Sequence, residues 1–156
     1  MSTLNKQLKI KDIVGQFPEL RFEQGESLCW NPTKKSITHP GKDSLDTIYG
    51  LIHEIAHAKL THSSFLHDIE LIKMEREAWN LACEIAQDKF DIKISGEYIE
   101  DCLDSYRDWL YRRSLCPRCA LSGFQVNSHE YSCPHCLIDW NVPVSRLCTV
   151  KRQILA

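Results

Sequence analysis

The sequence predicts an α+β fold in two parts: a helical domain carrying a small antiparallel sheet, then a short module of strands built around cysteines. Three observations lead to this. Apolar residues recur at helical spacing over three stretches between Leu45 and Arg113, while short extended runs bounded by turn residues precede and follow them. Cysteines crowd the C-terminal end, where Cys116, Cys119, Cys133, Cys136 and Cys148 account for five of the eight. Charge also changes sign there: Met1 to Tyr111 has 13 Lys+Arg against 19 Asp+Glu, or -6, and Arg112 to Ala156 has 6 against 2, or +4, which sum to the net -2. The expected domains are therefore 1–112 and 113–156, with the boundary at Arg112 to Ser114.

A chain of 156 residues, 43% apolar and 26% charged, is long and apolar enough to fold and is not expected to be disordered. No apolar run approaches the roughly 20 residues that cross a bilayer, and Met1 to Gln16 is amphipathic and lysine-bearing, unlike a signal peptide. The expectation is a cytoplasmic protein with no membrane partner. In that reducing setting, eight cysteines point to metal or buried thiols rather than disulfides.

A short helix is expected over Leu4 to Val14, ended by Gly15 and Pro18. Extended runs follow at Leu20 to Glu23 and in a hairpin of Ser27 to Trp30 and Lys35 to His39. Its turn is Asn31-Pro32-Thr33-Lys34, in which Pro presets φ and Asn can start the turn. Ser44 is a good N-cap for a helix over Leu45 to Leu60. A second long helix spans His67 to Phe90, with Leu71, Ala78, Ala82 and Ile85 on one stripe, and a third runs from the Ser95 cap to Arg113.

The first long helix contains His53-Glu54-Ile55-Ala56-His57. Histidines four apart stand one turn above each other, so both imidazoles can reach one zinc ion. Glu54 is rotated by about 100° from His53, which suits a general base beside the ion's open position better than a ligand. A catalytic zinc needs a third protein ligand, and His62, His67, Glu75 and Glu77 are the candidates. A third histidine six residues after His57 is excluded, because that position is Ser63. Glu75 lies on the apolar stripe of the second helix, where burying a carboxylate is costly without a partner such as zinc. Glu77 is rotated about 200° from Glu75 and stays the alternative. His62 and His67 read as solvated loop histidines.

The pair His53-Glu54-Ile55-Ala56-His57 and Glu75-Arg76-Glu77-Ala78-Trp79-Asn80-Leu81-Ala82 resembles the gluzincin metallopeptidases, and within them the ImmA/IrrE-like group. The resemblance covers about Leu20 to Asp91. It implies a minimal zincin fold, a metalloendopeptidase activity, catalytic zinc on His53, His57 and Glu75, and Glu54 as general base. It also implies that the strand pair before the active-site helix offers an edge to an extended peptide. Related enzymes often place Asp or Asn four residues after the glutamate ligand to orient a histidine, whereas this chain has Trp79 there.

Cys116-Pro117-Arg118-Cys119 and Cys133-Pro134-His135-Cys136 form two C-P-x-C knuckles, which together make a closed tetrahedral S₄ site for a second, structural zinc. With a hairpin of Phe124 to Val126 and Tyr131 to Ser132 and a closing strand at Ile138 to Val142, the module resembles a zinc ribbon. Phe124, Tyr131 and Trp140 are expected to form its core, and Cys29, Cys83, Cys102 and Cys148 to pack as small apolar residues. The +4 charge permits a nucleic-acid partner, but its density is modest, so a protein contact or plain stability ranks ahead.

The expected function is hydrolysis of peptide bonds in a specific intracellular protein by a two-zinc metallopeptidase, with an activating or recruiting protein as a further partner. Two alternatives compete. One is an SprT-like protease acting on DNA-bound proteins, which takes a third histidine as ligand. The other is a non-catalytic zinc-ribbon regulatory or interaction protein.

Overall fold

The computed structural model describes residues 8–146 and 149–156. Among them are four helices and two small sheets, arranged along the chain as α1 (Ile10–Val14), β1 (Arg21–Gln24), β2 (Cys29–Asn31), β3 (Ser36–His39), α2 (Leu45–Lys59), α3 (Asp68–Phe90), α4 (Gly96–Ser114), β4 (Phe124–Asn127), β5 (Glu130–Ser132), β6 (Asp139–Asn141) and β7 (Gln153–Ile154). Part of the expected first helix, from Leu4 to Gln7, lies outside the described residues, as does Cys148. No helix among the described residues is long and apolar enough to cross a membrane.

The chain forms two compact units, Met1–Ser63 with Arg76–Ser95 and Ser64–Glu75 with Gly96–Ala156. The four-cysteine module falls in the same unit as α4 and the first turns of α3.

In the first unit the sheet order is β1-β3-β2, with β3 antiparallel to β2 and parallel to β1. The expected antiparallel sheet is therefore mixed. The hairpin returns β3 between the two earlier strands, and the four residues from Gly25 to Leu28 can bridge the two strand spacings this requires, about 9–10 Å. Its turn follows the expected chemistry: the Asn31 side-chain oxygen accepts from the Lys34 N–H at 2.9 Å, and Lys35 completes the turn with φ 52°. Ser44 caps α2 by accepting from the Thr47 N–H at 3.2 Å. Ile48, Leu51, Ile52 and Ile55 of α2 are buried with Ile13, Phe17, Ile37, Ala78, Ala82 and Ala86, which sets the helix orientation and so the side on which His53 and His57 sit.

In the second unit a four-stranded antiparallel sheet runs β4-β5-β6-β7. The strand β7, which pairs with β6 through Trp140↔Ile154, was not expected from the sequence: a two-residue strand has no periodicity to read. Tyr131, Trp140, Val142, Cys116 and Cys133 form the core of the module. Phe124 does not join them, being 70% exposed on the edge strand β4. Tyr131 and Trp140 are cross-strand partners whose rings stack at 5.7 Å, and together they already fill a core this small.

A buried polar cluster completes this unit. Arg113, fully buried, donates to Asp68 Oδ1 at 2.8 Å and to the Ser128 carbonyl at 2.5 Å, and its guanidinium lies 4.4 Å from the Trp109 ring. The Tyr131 hydroxyl donates to the other Asp68 oxygen, while the Asp68 N–H donates to Gln125 Oε1 at 2.8 Å. The first residue of α3, the end of α4 and the cysteine module are thereby held by charge-assisted bonds shielded from water. Arg113→Ala leaves the Asp68 carboxylate without its cation, and the expected loss is about 3–5 kcal/mol, read as a fall in the denaturant midpoint. A variant with an unchanged midpoint would show that the cluster carries no stability.

Candidate metal centres

The geometry of α2 does what the His-x-x-x-His spacing requires. His53 and His57 are both buried, and their Nε2 atoms approach to 3.0 Å with the rings edge to face. Two nitrogens on one tetrahedral zinc stand about 3.3 Å apart at a Zn–N distance of about 2.0–2.1 Å, so the pair already has the spacing of a shared ion. The third group is Glu75. It is 4% exposed on the α3 stripe whose other members, Leu71, Ala78, Ala82 and Ile85, are also buried. One ligand atom each from His53, His57 and Glu75 falls within 4.8 Å of the others.

Glu77 is not in this group. Its side chain is 63% exposed and its Oε2 lies 3.4 Å from His62 Nε2. The roughly 200° between neighbouring odd positions of a helix sends one glutamate to the core and the other outward. His67 is exposed beside Glu70, with Nδ1 and Oε1 3.6 Å apart. His135, inside the second knuckle, is exposed as expected.

Glu54 is half-buried, and its Oε2 accepts the Trp30 N–H at 2.6 Å. This bond ties the edge strand β2 to the helix that carries the histidines. The Trp30 indole adds a second tie by donating from Nε1 to the His62 carbonyl at 2.9 Å. Trp79, at the position where related enzymes often have an orienting Asp or Asn, stacks on His53 with ring centroids 4.1 Å apart and planes 21° from parallel. A flat apolar surface thus restrains the His53 ring.

His62 is not a solvated loop residue: its side chain is 11% exposed and its Nδ1 lies 2.9 Å from His57 Nδ1. Among the described cysteines outside the tetrad, Cys29 is exposed and Cys83 and Cys102 are half-buried, so none packs as a core residue. Cys29 belongs to an edge strand, and the pattern of a three-residue strand does not say which side faces the core.

The four module cysteines converge. Cys116 and Cys136 sulfurs are 3.5 Å apart, Cys119 and Cys133 are 3.5 Å apart, and Cys119 and Cys136 are 3.8 Å apart. Tetrahedral zinc with bonds of about 2.3 Å separates its sulfurs by about 3.8 Å, whereas a disulfide bond is about 2.05 Å long. The two knuckles repeat each other. The Cys116 N–H donates to the Leu121 carbonyl and the Cys133 N–H to the Ile138 carbonyl, both at 2.9 Å. Ala120 and Leu137 take the same left-handed turn, with φ 61° and 57°. Backbone N–H groups of Arg118 and Cys136 point at the sulfurs of Cys116 and Cys133 at 3.4 and 3.5 Å. Burial raises the Cys116 thiol, but the Cys119 and Arg118 N–H groups and the neighbouring thiols outweigh it and hold it at about 6. Cys136 is pushed up to about 12 by burial and its contacts with Cys116, Cys133 and Cys119. Holding all four sulfurs as thiolates at this spacing would take a cation at their centre, and a divalent, thiophilic one fits.

Among the described residues, two groups of side chains could hold a metal ion: Cys116, Cys119, Cys133 and Cys136, and His53, His57 and Glu75. The first is closed by four sulfurs. The second supplies two nitrogens and one carboxylate, leaving a fourth position of a tetrahedral ion for water or substrate. Both donor sets are compatible with zinc. The chain matches no protein-family model, no curated protein and no solved structure.

Proposed function

We propose that the protein is a zinc metalloendopeptidase of minimal zincin type that cleaves a specific intracellular protein, with the four-cysteine module as a structural zinc ribbon. The observation that carries this reading is the buried group of His53, His57 and Glu75, with the half-buried Glu54 on the same helix as the two histidines. Zinc bound there supplies Lewis acidity to a peptide carbonyl and acidifies a water molecule. The chain's own residues do the rest. His53, His57 and Glu75 hold the ion, and Glu54 takes a proton from the attacking water and hands it to the leaving amine. The Trp30 N–H fixes where that carboxylate can stand. Since β2 is an edge strand tied to α2, an extended peptide paired along it passes next to Glu54.

The SprT-like alternative loses support from the same arrangement, because it needs a third histidine. His62 meets His57 at Nδ1 rather than at the Nε2 shared with His53, and His67 is exposed beside Glu70. The +4 charge of Arg112 to Ala156 favours protein or nucleic acid only weakly, and the module's fit to stability is direct, since it shares the Arg113–Asp68 cluster with α3 and α4.

Zinc stoichiometry is the first test. Purified protein is expected to carry two zinc ions, and Glu75→Ala to retain only the cysteine-bound one while Glu77→Ala keeps both. One ion in the wild type, removed by Cys116→Ser, would instead support a non-catalytic scaffold. Retention of both ions by Glu75→Ala would remove the carboxylate from the ligand set.

A further inference from the structure

The geometry points to a positioning relay, Glu77 to His62 to His57, that fixes the orientation and tautomer of one catalytic-zinc ligand. The inference rests on the metal reading of His53, His57 and Glu75 and extends it to two residues outside the ligand set.

The relay begins with how α2 ends. Leu60 caps the helix, Thr61 turns left-handed at φ 55°, its N–H donates to the Ala58 carbonyl at 3.2 Å, and the His62 N–H donates to the His57 carbonyl at 3.1 Å. These two bonds make a Schellman motif, which folds the chain back over the last turn. Glycine usually occupies the left-handed position, and a β-branched residue there is strained. The return brings the His62 ring beside His57, with centroids 5.0 Å apart, and the Trp30 indole holds the His62 carbonyl from the other side.

Proton placement then runs in one direction. A neutral His57 that offers Nε2 to a metal carries its hydrogen on Nδ1. That hydrogen points at His62 Nδ1, 2.9 Å away, which must then be the acceptor. An imidazole accepting at Nδ1 carries its hydrogen at Nε2, and there the Glu77 carboxylate waits at 3.4 Å. Each group thus selects the tautomer of the next, as the outer carboxylate or carbonyl does for histidine ligands generally. It also gives Glu77 a place: the second glutamate of Glu75-Arg76-Glu77 acts through His57, not as a ligand. His53 is restrained differently, by the stacked Trp79.

Zinc affinity of the histidine site, measured by chelator competition on the full-length protein with the cysteine site kept loaded, tests the relay. His62→Leu is expected to bind zinc there about 10–100-fold more weakly at unchanged stoichiometry under saturation. His62→Asn, whose amide can reach the position of Nδ1, is expected to recover most of the loss. Glu77→Gln, on an exposed face where folding is not in question, is expected to weaken binding by a smaller factor. In cobalt-substituted protein, His62→Leu should alter the visible spectrum of the histidine site, a change that lost packing alone would not make. Wild-type affinity in both His62→Leu and Glu77→Gln would overturn the relay while leaving the metal site intact. Absence of a second zinc from the wild type would overturn the metal reading itself, and the relay with it.

Discussion

Glu54→Gln is expected to lower cleavage of the protein substrate by about 10²–10⁴-fold while two zinc ions stay bound. The substitution is selective because of the bond Glu54 makes. Its Oε2 accepts the Trp30 N–H at 2.6 Å, and a glutamine oxygen can accept the same hydrogen, so β2 keeps its tie to α2. What disappears is the basicity on which the proposed proton transfer from water depends. Glu54→Ala would also free the edge strand and confuse loss of chemistry with loss of structure. The measurement pairs turnover with metal content. A Glu54→Gln protein that cleaves at the wild-type rate would remove Glu54 from the mechanism, and one that also loses zinc would make it part of the metal site.

Loss of any one module cysteine is expected to have the larger effect on folding. The core around the knuckles consists of Cys116, Tyr131, Cys133, Trp140 and Val142, a small apolar cluster of which two members belong to the sulfur group itself, so the ion is expected to carry much of its stability. Structural zinc sites contribute on the order of 10 kcal/mol, comparable with the whole stability of an ordinary domain. Cys116→Ser should therefore lose one zinc and the near-ultraviolet signal of Trp140, whose indole donates to the Arg113 carbonyl at 3.0 Å. His57→Ala should lose the other zinc and leave that signal in place. If Cys116→Ser retained the wild-type denaturant midpoint, the sulfur cluster would not be a folding element. The asymmetry between these two variants tests the proposed division between a closed site that holds structure and an open one that holds chemistry.

Much of the candidate site was legible in the chain. The spacing His53 to His57 places two imidazoles on one face of any helix, and the C-P-x-C knuckles carry their own turns. Glu75 was legible because one charged residue interrupted the stripe of Leu71, Ala78, Ala82 and Ile85, and all five are buried. His62 and Trp30 were not. His62 lies five positions after His57, beyond the end of the helix, and without glycine at Thr61 there was no sign of a left-handed turn. Trp30 reaches Glu54 through a backbone N–H, a group every residue but proline has, and its indole reaches the His62 carbonyl across 32 residues of chain, so neither tie has a local spacing to read.

Phe124 and Cys29 were misplaced for a related reason. In strands of three or four residues, alternation shows that neighbours face opposite ways but not which way is inward. Phe124 faces out because Tyr131 and Trp140 occupy the small core, and Cys29 is exposed on an edge strand.

By itself the sequence determined which atoms can bind metal: local spacing on a helix or in a knuckle fixes two ligands at a time, since both lie within one turn of backbone. Tertiary structure decided what joins those pairs. Glu75 over Glu77, the two knuckles on one centre, the parallel pairing of β1 with β3 and the placement of His62 against His57 all bring together residues that local geometry cannot relate. They are settled by which faces the apolar residues bury and by how each helix ends.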